Sequence, residues 1–398
     1  MTNIRKLGEL IEWVDTRNKG VISTNLLGIN IEKFFMPSVA NIIGTDLSSY
    51  KLISKNQFAC NPMHVGRDEK MPIALYLNEE PSIVSPAYFV FQPKDLTVVN
   101  PEYLMLWFRR AEFDRECWFH TDGSVRGGIT WDEILDMSVP VPSIEEQNKI
   151  VSSYNDIEKR IKLKKQINDN LAETIKTIFK SWFLEFNAIP NVELIQSQYG
   201  DIPLGWHYEL LGDICECVTK GTTPTTLGKD FTDVGINFVK GESINDDHSF
   251  NKEMFAHIDE ETDTLLKRSR ILENDILFTI AGTLGKFALV DKSILPANTN
   301  QAVAIIRTSK IPPEMLYSYF IGDWQVEFYK KNIQQAVQAN LSLGTIKELP
   351  ILLPDDNGKT RYMERISPII SAIKTNFAEI ERLADLQNQL LTKISSSR

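Results

Sequence analysis

The sequence has none of the short motifs that mark the common enzyme active sites. No G-x-G-x-x-G follows a strand-like run, and neither G-x-S-x-G nor H-E-x-x-H occurs, so dinucleotide, hydrolase and zinc-protease signatures are absent. Residues 282–286, Gly-Thr-Leu-Gly-Lys, are too short for a phosphate-binding loop, and Phe287 stands where that loop needs Ser or Thr. We therefore expect the chain to bind rather than to catalyse.

Metal-binding patterns are also scarce. The four cysteines are scattered, which is typical of reduced thiols in the cytoplasm. Cys215 and Cys217 lack a second Cys or His pair at zinc spacing, so we expect them at a packed strand end. His248 and His257 lie in an acidic segment and are expected in a solvated loop. The sequence predicts no metal site.

Long apolar runs and an excess of positive charge are missing as well. No run of about 18 uncharged apolar residues occurs, and residues 1–10 carry charge where a signal peptide would be apolar, so we expect a cytoplasmic protein without a membrane span. The net charge of −10 argues against a general polyanion binder. It remains compatible with local basic patches, or with DNA binding in a complex whose other subunits are basic.

Glycine and proline are absent from residues 144–188, where apolar residues follow a heptad. The two seam positions hold Ile150, Ile157, Leu171 and Ile178, and Tyr154, Ile161, Ile175 and Trp182. The same spacing returns at Ile366, Ile370, Ile373, Phe377 and Ile380. These patterns predict two long helices in a coiled coil, antiparallel because the second must return toward the domain that the first left. Lys164 and Asn168 are polar seam positions that can fix the register. An ordinary amphipathic core helix is the simpler alternative.

The two segments that precede the long helices resemble each other in sequence. Residues 6–10 correspond to 210–214, and residues 129–142 correspond to 341–354 at one constant offset. The length of 398 residues also favours two domains. We expect an α+β fold with two pseudo-symmetric, irregular, β-rich domains separated by the helices. The predicted divisions are a first domain at 1–142, a central helix at 143–187, a linker at 188–201, a second domain at 202–354 and a terminal helix at 355–398.

Several loops are rich in residues that contact nucleic acid. Residues 220–226 combine a lysine with small hydroxyl groups, which commonly contact phosphate. Residues 298–301 and 334–340 concentrate Asn and Gln, which can read adenine. Turns, caps and plain surface charges are the simpler alternatives. The candidate DNA-binding residues are Arg17, Lys19, His64, Arg67 and Arg126 in the first half and Lys220, Thr222, Thr223, Lys286, Asn300, Gln301, Gln338 and Asn340 in the second.

Together these segments resemble the specificity subunit of type I restriction-modification systems. Residues 202–206, Ile-Pro-Leu-Gly-Trp, with 211–213 and 221–224, resemble the start of its target-recognition domain. Residues 275–278 with 282–286 resemble the middle of that domain.

The exit from the domain also carries the resemblance. Residues 139–142, Val-Pro-Val-Pro, followed by 145–147, Glu-Glu-Gln, resemble its passage into the long helix. The similarity covers nearly the whole chain, with two departures: the first half lacks a Pro-x-Gly-Trp entry, and the second exit at 353–357 lacks Glu-Gln.

The resemblance implies two target-recognition domains, each reading one half of a split double-stranded DNA target. It implies that the helices hold two methyltransferase subunits, which restriction and translocase subunits join. S-adenosylmethionine, ATP and Mg²⁺ would act in those partners, and this chain would bind no cofactor and catalyse nothing. A non-catalytic scaffold with duplicated protein-binding domains is the main alternative, and an enzyme with an unrecognised site is the third.

Overall fold

A computed structural model describes residues 3–39, 44–121, 127–326, 328 and 340–396. The chain divides into two compact units. Unit 1 comprises Met1–Lys162 and Glu381–Arg398, and unit 2 comprises Leu163–Ile380.

Unit 1 is built from short strands. In chain order they are β1 (Asn3–Lys6), β2 (Ile11–Trp13), β3 (Leu26–Ile29), β4 (Phe35–Pro37), β5 (Lys51–Ile53), β6 (Phe58–Cys60), β7 (Ile73–Leu75), β8 (Ser82–Val84), β9 (Phe89–Pro93) and β10 (Ser138–Val141). One sheet has the order β2-β9-β6-β7, and a second has the order β4-β3-β8-β5. Only β3 and β8 are parallel among these neighbours. β1 pairs with β10 in a separate antiparallel ladder.

Among the described residues of unit 1, the α-helices that accompany these strands are α1 (Leu7–Leu10), α2 (Val65–Asp68), α3 (Pro101–Phe108), α4 (Ala111–Phe119) and α5 (Trp131–Asp136). α3 begins where the Asn100 side chain accepts from the backbone N–H groups of Glu102 and Tyr103, with a proline at the first turn. Its residues from Tyr103 to Phe108 are buried, and they join the stacked rings of Phe58 and Phe91 in the core of unit 1.

A long helix, α6 (Ile144–Phe179), follows β10 and continues in a π-helical turn at Lys180–Leu184. The Ser143 hydroxyl accepts from the backbone N–H of Glu146, as expected for the first residue before a helix. α6 contains no glycine or proline, and it is a continuous helix, as the sequence predicts.

Unit 2 contains the next strands and helices. The strands are β11 (Leu194–Ser197), β12 (Gly200–Pro203), β13 (His207–Leu210), β14 (Cys215–Lys220), β15 (Ile236–Val239), β16 (Ala256–Ile258), β17 (Arg270–Ile271), β18 (Ile276–Thr279), β19 (Phe287–Leu289), β20 (Ala297–Thr299), β21 (Val303–Thr308) and β22 (Pro350–Leu353). The helices are α7 (Leu211–Ile214), α8 (Glu260–Leu265), α9 (Pro313–Ile321) and α10 (Leu343–Lys347). The long α11 (Asp356–Ser396) begins in unit 2, and its residues from Glu381 onward belong to unit 1.

The topology of unit 2 repeats that of unit 1. Its sheets have the orders β14-β21-β18-β19 and β16-β15-β20-β17, β15 and β20 are parallel, and β13 pairs with β22. The backbone N–H of Leu7 donates to the carbonyl of Met137, and that of Leu211 donates to the carbonyl of Leu349 in the same way. The predicted fold class is therefore confirmed: α+β, with two repeated domains and a long central helix.

The two long helices are paired within each unit. In unit 2, Asn168 of α6 faces Asn376 of α11, whereas Trp182 packs on Tyr362 with ring centroids 5.5 Å apart, so the helices run antiparallel there. In unit 1, Tyr154 lies in the same apolar cluster as Ile394. Every predicted seam residue is buried or half-buried. The first long helix is thus one member of a helix pair rather than a lone core helix.

The polar residues of the seam meet one another. The Asn376 side-chain N–H donates to Asn168 Oδ1 at 2.7 Å, and Lys164 Nζ donates to Asn376 Oδ1 at 2.9 Å. Lys164 also pairs with Glu379 at 2.8 Å. A shift of α6 along α11 would separate these donors from their acceptors. The polar group therefore fixes the register of the two helices.

The segment expected to be a linker has more structure than its composition indicates. β11 and β12 form a hairpin in which Leu194 lies opposite Pro203. Gly200 closes the turn with a φ of 113°, a conformation that suits glycine. Residues 188–201 therefore include most of a β-hairpin.

Candidate nucleic-acid interface

Loops collect at one end of the first sheet of unit 2. β14 ends at Lys220, opposite Ala304, and β21 begins at Val303, opposite Thr279 at the end of β18. β19 begins at Phe287, opposite Phe278. Because these neighbours are antiparallel, the segments after β14 and β18 and those before β21 and β19 leave the sheet at the same end. Most of the candidate residues of the second half lie in these segments.

The backbone of Gly221 touches the neighbouring loop directly. Its N–H donates to the carbonyl of Asn300 at 3.0 Å, and a Cβ atom at this position would lie only 1.8 Å from the carbonyl oxygen of Thr299. Next to this contact, the Thr223 hydroxyl donates to the side-chain oxygen of Gln301. The two loops that were predicted separately are therefore joined into one surface.

Gly221→Ala is expected to lower the free energy of unfolding by about 1–3 kcal/mol, because the added methyl group forces the two loops apart. Thermal unfolding of the full chain measures this change. Gly344→Ala is the matched control: Gly344 lies in α10, where an added Cβ meets nothing closer than 3.4 Å. That substitution should be neutral or stabilising by about 0.5–1 kcal/mol. Equal stabilities for the two variants would contradict the close approach.

The segment before α10 completes the surface. The N–H of Ile280 donates to the carbonyl of Ala302 at 2.8 Å, and the N–H of Leu341 donates to the carbonyl of Ile280 at 3.0 Å. Asn340 therefore lies beside the loop after β18 and is exposed. Lys220 and Gln301 are exposed as well, whereas Thr222, Thr223 and Asn300 are half-buried.

Lys286 differs from the expectation of an open surface cation. Its Nζ lies 2.9 Å from Asp246 Oδ1, and its side chain is 22% exposed against 90% for Asp246. The positive charge of Lys286 is therefore partly neutralised by Asp246 within unit 2. Gln338 lies outside the described residues, so the structure does not place it.

In unit 1 two of the candidate arginines, Arg17 and Arg67, have partners of their own. Arg17 donates to the carbonyl of Ser49 at 2.9 Å and pairs with Asp15 at 3.0 Å. Arg67 in α2 forms two hydrogen bonds, of 2.7 and 2.9 Å, with the adjacent Asp68.

The other candidates of unit 1 are less constrained. Lys19 is exposed in a turn. The backbone of His64 forms a single 3₁₀ turn, but its side chain lies outside the described part of the chain, as does all of Arg126. The N–H of Ile129 donates to the carbonyl of Pro62, so the segment before α5 adjoins the segment before α2. The hydrogen bond from Leu341 to Ile280 joins the corresponding segments of unit 2. Arg17 instead contacts the loop before β5.

Two residues near these loops behave in ways that the sequence did not predict. Lys51 is buried: its ammonium group donates to the carbonyl of Tyr88 at 2.7 Å and lies 4.6 Å from the ring centre of Trp13, and burial lowers its pKa. The expectation of a solvated loop is wrong for His248. Its ring stacks on Phe287 at 4.0 Å, and burial lowers its pKa. The hydrophobic neighbours of both residues come from distant segments, so local composition carries no signal for them.

The remaining predictions about chemistry concern metals and membranes. Cys215 lies at the first residue of β14, as expected, and burial raises its pKa to about 12. His257 is half-buried within β16 rather than in a loop. No group of three or more His, Cys, Asp or Glu side chains that could hold a metal ion occurs in the described ranges. Within the same ranges, no helix has both the length and the apolar character that a bilayer crossing requires.

Comparison with known proteins identifies the class to which this fold and surface belong. The family model for the type I restriction modification DNA specificity domain matches residues 3–173 and again residues 203–384. The chain belongs to this family and is a type I restriction-modification specificity subunit with two recognition domains.

Individual relatives agree with the family match over most of the chain. The specificity subunit of the type I restriction enzyme HindI from Haemophilus influenzae is 22% identical over 445 aligned positions, which cover 94% of this chain and 93% of the relative. That of MjaIX from Methanocaldococcus jannaschii is 25% identical and covers 76% of this chain and 69% of its own. The crystal structure of the S subunit from M. genitalium has the same fold, with a TM-score of 0.54, 12% identity and coverage of 99% and 96%.

Proposed function

We propose that this chain reads a bipartite double-stranded DNA target, one half with the loop surface of each unit, while its long helices hold two methyltransferase subunits and, through them, restriction subunits. The joined loops of unit 2 carry the proposal, because they bring exposed Lys220, Gln301 and Asn340 to one end of a rigid sheet. Binding residues on loops that a sheet positions are a common arrangement.

The roles of these side chains follow from their chemistry. Lys220 and the hydroxyl groups of Thr222 and Thr223 suit phosphate, which positions the protein on the duplex. Gln301 and Asn340 can each form two hydrogen bonds with an adenine edge in the major groove. The net charge of −10 favours binding within a complex, in which partner subunits contribute positive charge.

The chemistry of methylation and cleavage is assigned to the partners. S-adenosylmethionine, ATP and Mg²⁺ would be bound there, and this chain would contribute recognition and assembly in the cytoplasm. A scaffold that binds only proteins is the competing function. It differs in one measurable respect, since its loops would have no influence on which DNA sequence is modified.

Substitutions in unit 2 test the proposal in the complex reconstituted with the cognate methyltransferase subunit. Lys220→Ala is expected to weaken binding to all duplexes alike and to lower the salt slope by about one. Gln301→Ala should cost about 1–3 kcal/mol of discrimination at one base pair of one half-site. Lys310→Ala, which removes an exposed cation beyond the end of β21 that lies opposite the joined loops, is the matched control.

Mapping of methylated sites in cells that carry Gln301→Ala gives the decisive readout. One half of the target should relax while the other keeps its sequence. An unchanged target together with unchanged binding by both surface variants would refute the assignment of this loop surface and favour the scaffold.

A further inference from the structure

A cavity of about 280 Å³ lies within unit 2 beside the paired helices. α6 contributes Asn168, Asp169 and Glu173 to its wall, and the loop between β15 and β16 contributes Asp247 and His248. Side chains of α9 and α11 form an apolar floor. The cavity is distinct from the joined loops of the candidate DNA surface, although the two share a neighbour in Asp246, which pairs with Lys286.

The wall is acidic, and its acid groups are only partly neutralised. Asp246 pairs with Lys286. The charge of Glu173 acts on Lys176, whose ion pair is with Asp323. For Asp169 and Asp247 no ion pair is found in the part of the chain that the structure describes. Three carboxylates around one cavity favour a cationic occupant. They do not form a metal-binding group in the described ranges.

A buried amide provides an independent indication of a ligand. Asn168 is only 5% exposed, and its Oδ1 accepts from Asn376. Its Nδ2, however, has no acceptor among the described residues. Buried amide N–H groups are nearly always hydrogen-bonded, so this donor, in the wall of the cavity, is available to an oxygen atom of an occupant.

His248 presents the complementary group. Its buried Nδ1 has no hydrogen-bond partner within the described residues. The residue has a φ of 67°, a left-handed conformation that histidine adopts more often than most residues, in the tight turn that places its ring near Tyr317 of α9. Burial lowers the pKa of His248, which keeps the ring neutral and able to accept a hydrogen bond.

We propose that this cavity receives an arginine side chain of the methyltransferase subunit, whose adjacent main-chain carbonyl accepts from Asn168. The proposal rests on the proposed function, since it names the chemistry by which that partner docks. Arginine fits because its planar group has five N–H donors, enough for several separated carboxylates and for His248. Its aliphatic stem packs on the apolar floor.

Removal of charge tests the acidic wall. The double variant Asp169→Asn with Glu173→Gln alters two exposed helix positions, so the fold is retained. Its affinity for the methyltransferase subunit, measured by calorimetry with the full chain, is expected to fall by about tenfold. The control Asp233→Asn with Glu253→Gln makes the same change of charge at exposed sites outside the cavity and should alter affinity by less than about twofold.

A second variant removes space without changing charge. Ala172→Trp fills the cavity and should weaken binding by a similar factor. Arginine itself is tested by replacing each arginine of the methyltransferase subunit with lysine. One such change should be non-additive with the Asp169 and Glu173 double variant, as expected for groups in contact.

The outcomes distinguish failure of the arginine pocket from failure of methyltransferase docking. Normal affinity of the charge-removal and cavity-filling variants, or strict additivity for every arginine, would overturn the arginine pocket and leave docking of the methyltransferase intact. Failure of the unaltered chain to bind the methyltransferase subunit would overturn the pocket together with the proposed assembly.

Discussion

Replacement of Asp114 by alanine is expected to destabilise unit 1 by about 3–5 kcal/mol, the usual cost of removing one partner of a buried ion pair. Asp114 Oδ1 lies 2.8 Å from Lys33 Nζ, and the two side chains are 12% and 5% exposed. The same oxygen accepts from the backbone N–H of Met71 at 3.0 Å. The substitution would leave the Lys33 ammonium group buried, with only the carbonyl of Phe108 as a polar partner among those identified.

The loss should depend on pH. Burial lowers the pKa of Lys33 in the folded chain, and the charge of Asp114 opposes that decrease. Without Asp114 the pKa falls further below its unfolded value, so the unfolded state binds more protons over a wider interval. Stability rises with pH wherever the unfolded state binds more protons. The Asp114→Ala variant should therefore regain stability as the pH is raised from about 7 toward about 10.

Native-state hydrogen exchange of the α3 and α4 amides in the full chain measures this effect in unit 1 alone. The matched control is the double variant Lys33→Met with Asp114→Leu, which replaces the pair with apolar side chains. It should remain within about 1–2 kcal/mol of the original chain and lose the pH dependence. A single variant as stable as the double variant would show that the pair is not effectively buried.

The contrast between long helices and isolated polar residues shows what a sequence can predict. α6 was predictable because its period persists over many turns without glycine or proline. The repeated topology was predictable because residues 129–142 and 341–354 keep one offset. Lys33 and Asp114 are 81 positions apart, and nothing near either of them indicates that they meet. Their pairing depends on how α4 packs on the sheets.

The candidate DNA surface shows the same division. The amide-rich and threonine-rich segments of unit 2 were selected by residue type, and the sheet register explains why they adjoin. The pairing of Lys286 with Asp246 was not predictable, because it joins two loops whose relative position only the fold determines. The unpartnered nitrogen atoms of Asn168 and His248 were hidden for the same reason. Residue type therefore suggested the candidate residues, and tertiary packing decided which of them are available.

Gln147→Ala is expected to cost about 3 kcal/mol or more, because it removes three hydrogen bonds of a side chain that is wholly buried. Gln147 Oε1 accepts from the backbone N–H of Asn100 at 2.8 Å. Its Nε2 donates to the carbonyls of Val98 at 3.0 Å and Pro142 at 2.9 Å. One side chain thus ties the start of α3, the end of β10 and the first turn of α6 together, and alanine leaves three backbone groups without these partners.

The repeat supplies a control at the equivalent position of unit 2. Position 359 corresponds to 147 at the same offset as 341 to 129, and it holds lysine, in agreement with the missing Glu-Gln at the second exit. Lys359 pairs at 3.1 Å with Asp356, which is 99% exposed, and the turn there is closed by Asp355, whose side chain accepts from the N–H of Gly358. Lys359→Ala should therefore cost about 0–1 kcal/mol.

Hydrogen exchange distinguishes the two substitutions within one chain. Gln147→Ala should accelerate exchange at α3 and at the first turn of α6, while the amides of α9 in unit 2 keep their rates, because the lost hydrogen bonds all lie in unit 1. Lys359→Ala should leave both regions nearly unchanged. If the two variants proved equally stable, Gln147 would not be the link between the first recognition domain and its helix, and the difference between the two exits would have no structural consequence.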